Sequence, residues 1–269
     1  MNGGLEFTIL GCGSSGGVPR ADGDWGDCDP AESRNRRSRC SLLVRRPGVS
    51  ADEATTVLVD TAPDLRLQAV AAGVKRVDAV LYTHDHADQV GGIDDLRAFY
   101  LRNRVRTPCY MDAFTQAQML QRYGYAFETR GGYPAICDPL PLPPHGVGWS
   151  IEGPSGPVPV LGFDQDHGEI RSVGFRFGPV AYSSDVVGLP EASYAALAGV
   201  EVWIVDALRD RPHPTHAHVE MTLGWIERVR PARAILTNLH VDLDYNALKA
   251  RLPAGVEPAY DGMRFSVEI

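Results

Sequence analysis

Two histidines and an aspartate at alternate positions, His84, His86 and Asp88, lie within Tyr82-Thr83-His84-Asp85-His86-Ala87-Asp88-Gln89. They follow a mainly apolar run, Val77 to Leu81, that reads as a buried strand. Donors so spaced, just past a strand end, can converge on a metal ion without a long loop. Imidazole suits zinc, iron or manganese, and a neighbouring carboxylate suits a harder ion. A polar loop with two surface histidines would have the same local sequence, but this motif has companions. His167 falls in an Asp-His-Gly step, Asp185 follows Tyr182-Ser183-Ser184, and His216 and His240 come later, each following or flanking a strand-like run.

The elements that must position these residues are legible in outline. Leu5 to Leu10 alternates as a first strand, and the glycine-rich loop from Gly11 to Gly17 reads either as a backbone approach to phosphate or as a tight connection. Arg34, Arg36, Arg37 and Arg39 form either a solvated charged face or, with Arg20, a source of one or two phosphate clamps. Cys40 to Val44 and Thr56 to Asp60 read as strands, and a helix from near Pro63 ends at Gly73. A helix begins at Asp94-Asp95, a short strand spans Pro108 to Met111, and Asp112 caps a helix that stops at Gly124. Residues 131–160 hold eight prolines, six glycines and no lysine or arginine, so they read as loop, a lid or a dimer contact that includes Tyr133.

Beyond that segment a strand from Val158 leads to His167, and a hairpin of Val173 to Phe177 with Val180 to Ser183 delivers Asp185. Val202 to Val205 is a further strand. His213, His216 and His218 precede an amphipathic helix with Val219, Leu223, Ile226 and Val229 on one face and Pro231 as its stop. Ala234 to Thr237 is a strand and Tyr245 to Leu252 a helix, and Asp261-Gly262 reads as the turn of a terminal hairpin. Strands with helices interleaved after them fit two sheets packed face to face, helices outside, and metals at one edge.

Composition narrows the classes. A net charge of −8 and a pI near 5.5 argue against a non-specific nucleic-acid binder, although a local basic patch can still hold a phosphate. No run approaches the roughly 18 apolar residues of a membrane span, and Met1-Asn2-Gly3-Gly4 lacks the basic-then-apolar pattern of a secretion signal. Five widely spread cysteines fit a reducing compartment better than a disulfide framework. The expectation is a soluble cytoplasmic protein.

The ordered donors resemble the metallo-β-lactamase superfamily, in which a His-x-His-x-Asp-His motif is followed by a lone His, a bridging Asp and a terminal His. Ile9-Leu10-Gly11-Cys12-Gly13-Ser14-Ser15-Gly16-Gly17-Val18-Pro19-Arg20, with Trp25-Gly26-Asp27-Cys28-Asp29-Pro30, is similar to the opening of the phosphoribosyl cyclic-phosphate phosphodiesterase branch, which acts in phosphonate breakdown. The likeness continues through Leu58-Val59-Asp60-Thr61 to Leu236-Thr237-Asn238-Leu239-His240. It implies an α/β (α+β) fold, a four-layer αββα sandwich, as one domain over residues 1–269.

The resemblance also implies roles. His84, His86 and His167 would hold a first metal, Asp185 would bridge to a second, and Asp88 would belong to the second. Asp60 matches the position that steadies the ligating histidines, where a carboxylate fixes the tautomer; on its own it also reads as a helix cap. Two positions depart from the family pattern: Gln89 and Asn238 stand where histidines are usual. His240, two residues beyond Asn238, faces the same side on an extended segment and can replace the missing ligand, or it is a surface loop residue. The ions would be zinc or manganese, one or two, the second held more by oxygen. Relatives bind a structural zinc through cysteines of which only Cys28 remains here.

The implied reaction is hydrolysis of a phosphodiester by hydroxide from metal-bound water with a pKa of about 7, aided where two ions sit about 3.5–4 Å apart. His216 would contact phosphate or protonate the leaving oxygen, unless it is simply part of a polar loop. A small cyclic phosphate or nucleotide-like substrate is expected, with no membrane partner, nucleic acid disfavoured, and a homodimer open. The alternatives are a tRNA 3′-processing type of endonuclease and a non-catalytic metal- or ligand-binding protein of the same fold.

Overall fold

The computed structural model describes residues 4–269. Its strands form two seven-stranded sheets. The first takes β1 (Gly4–Gly11), β2 (Ser41–Arg46), β3 (Thr55–Val59), β4 (Ala79–Leu81), β5 (Thr107–Met111) and β6 (Cys137–Pro141) in chain order. The chain then crosses over and lays down β7 (Gly148–Ile151), β8 (Val158–His167), β9 (Ile170–Phe177), β10 (Val180–Ser183), β11 (Val202–Asp206), β12 (Arg233–Thr237) and β13 (Val256–Pro258). β14 (Met263–Glu268) returns to the first sheet beside β1. Sequential strands lie side by side, as short connections favour.

Alternation within each strand divides its side chains between two cores. Leu42, Val44, Val57, Val59, Ala79 and Leu81 point between the sheets and meet Val160, Phe175, Tyr182, Ile204 and Ile235 from the other side. Leu43, Leu58 and Val80 point the opposite way. They are covered by α1 (Leu65–Ala71), α2 (Ala87–Val90), α3 (Leu96–Asn103) and α4 (Ala113–Phe127) through Leu65, Val90, Leu96 and Met119. On the far side Trp203, Val205 and Leu236 are covered by α5 (Glu191–Leu197), α6 (Val219–Val229) and α7 (Tyr245–Arg251). Each fully buried Val, Leu or Phe contributes about 1.5–3 kcal/mol, so strands apolar on both faces are held only inside such layers. The result is the expected αββα sandwich. No helix among the described residues is long and apolar enough to cross a membrane.

Three local expectations are corrected. Residues 131–160 are not all loop: they supply β6 and β7, the edge strands of the two sheets. Pro139 and Pro141 are tolerated there because an edge strand leaves one row of N–H groups unpaired. Helix α4 does not stop at Gly124; it kinks at Tyr123 (φ −121°) and runs on to Phe127, because Ala126 and Phe127 bury in the outer core. Asp261-Gly262 is not a hairpin turn. It joins β13 of one sheet to β14 of the other, with Gly262 at φ +83°. The Asp261 carboxylate accepts from the amides of Cys12 (3.1 Å) and Ser38 (2.7 Å) and from Ser38 Oγ (2.6 Å).

Strand direction fixes where function can sit. β3 and β4 are parallel, as are β10, β11 and β12. β8 is antiparallel to β9 and β9 to β10, so β8 runs with β10. Each sheet therefore presents carboxyl ends of several strands along one edge. The amide of Val173 donates to the Thr83 carbonyl (2.9 Å) and ties the two sheets together there.

Candidate metal centre

Seven polar groups of the centre follow the carboxyl end of a strand: Asp60 after β3, Thr83 and His84 after β4, His167 at the end of β8, Asp185 after β10, Asp206 at the end of β11 and Asn238 after β12; Thr215 and His216 come from the loop before α6. Asp60, Asp185 and Asn238 have φ of +63°, +54° and +61°. Aspartate and asparagine enter this left-handed region more readily than other residues with a Cβ, and here it turns the chain sharply out of each strand. Such strain gathers at functional sites.

The first histidines are brought together as expected. Ligand atoms of His84, His86 and His167 lie within 4.8 Å of one another, and those of His167, Asp185 and His216 form a second such group. His84 is wholly buried, and its Nδ1–H donates to Thr83 Oγ1 (2.9 Å). Thr83 in turn donates its hydroxyl (2.9 Å) and amide (2.8 Å) to the Asp60 carboxylate. This fixes the tautomer and leaves His84 Nε2 buried without a hydrogen-bond partner among the described residues. His167 is oriented in the same manner, its Nδ1–H donating to the Thr215 carbonyl (2.7 Å). His86 is exposed, its Nδ1 3.3 Å from His167 Nε2. Burial, reinforced by the neighbouring imidazoles, lowers the His84 pKa to about 3 and also lowers that of His167. A neutral imidazole with a free buried nitrogen is the form that binds metal, so the donors fit a divalent ion.

Asp185 accepts from Ser184 Oγ (2.5 Å) and Gln89 Nε2 (3.0 Å). Burial would raise its carboxyl, but His84, His216 and His167 outweigh burial and hold it below the usual range. His216 Nδ1 lies 2.9 Å from Asp206 Oδ2 and 3.1 Å from the Asn238 amide. Burial would lower the His216 imidazole, yet Asp206, then Asp185 and Asp88, raise it to about 9. The ring of His213 stands 5.1 Å from that of His216.

Other expected residues are placed differently. Asp60 does not touch an imidazole; it acts on His84 through Thr83. Asp88 is outside both donor groups, its Oδ2 3.4 Å from Gln89 Nε2, and burial with the Asp185 charge raises its pKa to about 6. His240 is also outside both groups. The left-handed turn at Asn238 breaks the extended path that would have pointed it inward, and its Nε2 lies 2.7 Å from the Arg20 guanidinium. Arg37, read as part of a solvated face or as a phosphate clamp, is instead buried and donates to the carbonyls of His240 and Leu243, while Arg39 pairs with Asp64. The Cys28 thiol donates to the Val241 carbonyl within a small apolar cluster of Val18 and Val241. The glycine loop is a tight connection: a Cβ at Gly11 or Gly13 would meet the Arg39 carbonyl or Arg37. Thr83, Thr215 and Asp206 were missed in the sequence. For Asp206 the available signal was a carboxylate ending an apolar strand, shared with Asp60.

Comparison with known proteins places this arrangement. The profile described as "Beta-lactamase superfamily domain" matches residues 55–238. The crystal structure of a new diphosphatase from the PhnP family is 31% identical and superposes with a TM-score of 0.87, covering 100% of this chain and 99% of that one. YhfI from Bacillus subtilis (14% identical, TM-score 0.72, 99% and 100% covered) and Zn(2+)-bound PqqB from Methylobacterium extorquens (18%, 0.68, 97% and 99%) share the fold. A curated octanoyltransferase from Porphyromonas gingivalis is 28% identical over 273 residues, 98% of this chain but 52% of that protein, so the chain spans about half the length of this relative. With its histidines and aspartates gathered at one edge of an αββα sandwich, the chain belongs to the metallo-β-lactamase superfamily of hydrolase fold and, within it, to the PhnP family.

Proposed function

We propose that the chain is a metal-dependent phosphodiesterase that hydrolyses a small anionic phosphodiester, a cyclic phosphate or a nucleotide-like compound. One observation carries this reading: a local basic rim in a chain of net charge −8. His213 packs on His216, and its imidazole is lowered by burial and then by the charges of His216, Arg209 and His240. His240 in turn lies against Arg20. Arg20, which is shared with Asp24, and Arg209, together with the His213 and His240 imidazoles that burial keeps neutral, thus give the rim two guanidinium groups, suited to one further anionic group rather than to a polyanion.

His84, His86 and His167, with Asp185 beside them, would hold zinc or manganese. When bound, the ion supplies a Lewis acid and acidifies a coordinated water. The chain's own residues do the rest. Thr83 with Asp60, and the Thr215 carbonyl, hold two imidazoles in the tautomer that leaves Nε2 free. Asp206 holds His216 by Nδ1, which leaves Nε2 to carry a proton. As water adds to phosphorus and the ester P–O bond breaks, His216 gives that proton to the leaving oxygen. The name octanoyltransferase describes a protein about twice as long, and its activity is not carried to this chain.

The test is turnover of bis(p-nitrophenyl) phosphate before and after chelation and re-addition of zinc or manganese. Metal-dependent release of p-nitrophenol supports the reading, and no release with either ion sinks it. Arg20→Ala should raise KM roughly tenfold or more for a diester bearing a second phosphate, and much less for bis(p-nitrophenyl) phosphate.

A further inference from the structure

We infer that the centre holds a single ion, and that the side-chain amide of Gln89 stands in place of a second cation between Asp88 and Asp185. The inference rests on the metal-dependent reading above, but it is read out by metal stoichiometry and not by turnover.

The two donor groups share His167. Its Nδ1 is committed to the Thr215 carbonyl, so one lone pair remains, at Nε2, and that pair serves one ion at a time. The two groups are therefore not two sites. A second ion would have to lie against Asp88 and Asp185, and that space is already served. Gln89 Nε2 is 3.0 Å from Asp185 Oδ2 and 3.4 Å from Asp88 Oδ2, and Ser184 Oγ donates to the same Asp185 oxygen at 2.5 Å. Two carboxylates require the N–H end of the amide to face them, whichever way its two atoms are assigned, because the carbonyl end would be repelled. An amide nitrogen has no lone pair to give a metal, so with its N–H end on the two carboxylates Gln89 presents donors where an imidazole would present a ligand, and its Oε1 lies on the other side, buried without a hydrogen-bond partner among the described residues.

Gln89 is not free to turn away. The residue is wholly buried and its backbone is pinned, the backbone N–H donating to the His86 carbonyl (3.0 Å) and the backbone carbonyl accepting from the Thr61 N–H (2.8 Å). The third side of the space has also lost its ligand: Asn238 directs an amide at His216, and His240 pairs with Arg20 and Asp242. One neutral amide thus bridges two carboxylates that a second ion would otherwise have to bridge.

Native mass spectrometry with plasma mass spectrometry on protein purified without chelator should show one equivalent of metal, unchanged after dialysis against excess zinc or manganese. Gln89→His adds an imidazole and should take up a second equivalent. Gln89→Glu, nearly isosteric, makes three adjoining carboxylates and should take up a second manganese and melt at a higher temperature in its presence. Two equivalents in the unaltered protein would overturn the inference, as would both variants folding normally by circular dichroism and staying at one. A protein with one ion and no phosphodiesterase turnover would sink the proposed function and leave this inference standing; an active protein with two ions would do the reverse.

Discussion

The Asp206 carboxylate, wholly buried at the end of β11, lies 2.9 Å from Nδ1 of His216. This carboxylate–imidazole pair is the contact through which the second sheet aims the His216 ring at the centre, where the proposed mechanism makes it the proton donor. Asp206→Asn removes the charge but keeps the shape, and it should reduce turnover about 10–100-fold while metal content stays the same. His216→Ala should cost about 10²–10⁴-fold, again with metal retained. Unchanged turnover in the alanine variant would remove His216 from the mechanism; lost metal would make it a ligand instead.

Thr83 passes the influence of Asp60 to His84. Thr83→Val deletes the hydroxyl, frees the His84 ring to take the wrong tautomer and leaves an Asp60 oxygen buried without its donor. Metal affinity, followed by competition with a chromophoric chelator, should fall about 10–100-fold, and thermal melts should show a loss of about 1–3 kcal/mol. Thr83→Ser restores the hydroxyl and should restore both. Equal affinity in the valine and serine variants would mean that packing alone orients His84.

Asp261 gives a pH signature through contacts with Cys12 and Ser38 and with none of the candidate metal ligands. Burial raises its carboxyl to about 6, against hydrogen bonds from Ser38 and Cys12 that lower it. In the unfolded chain the same group ionises near 3.9. As pH rises between those values the unfolded state loses its proton first, so this group's contribution to stability falls across roughly pH 4 to 6 and is flat outside that window. The shift of about two units corresponds to about 3 kcal/mol. Relative to Asp261→Asn, the unaltered protein should lose about that much stability between pH 4 and pH 7 in urea titrations. Parallel stability profiles for the two proteins would show that Asp261 ionises normally.

Much of the fold was legible locally. The strands leading to His167 and Asp185, the helix that follows His218 and the strand before Asn238 all follow from period-two or period-3.6 patterns, and those patterns are set by which side chains must leave water. The prolines of residues 131–160 misled because their effect depends on position within a sheet: an edge strand accepts them and an interior strand does not. The Asp-Gly step at 261 and 262 misled for a related reason, since a turn signal says that the chain bends and not which strand it bends towards.

By itself, then, the sequence determined the donor types, their order, the layered fold and the substitutions Gln89 and Asn238, all properties of single residues or of short periodic runs. Only the tertiary structure decided which donors meet. His240 shares its parity with Asn238 only while the chain stays extended, and at φ +61° it does not. Asp206 and Thr83 carry no motif and become visible only where two sheets end at one edge. Distances between residues scores of positions apart depend on strand direction and sheet packing, which no local pattern encodes.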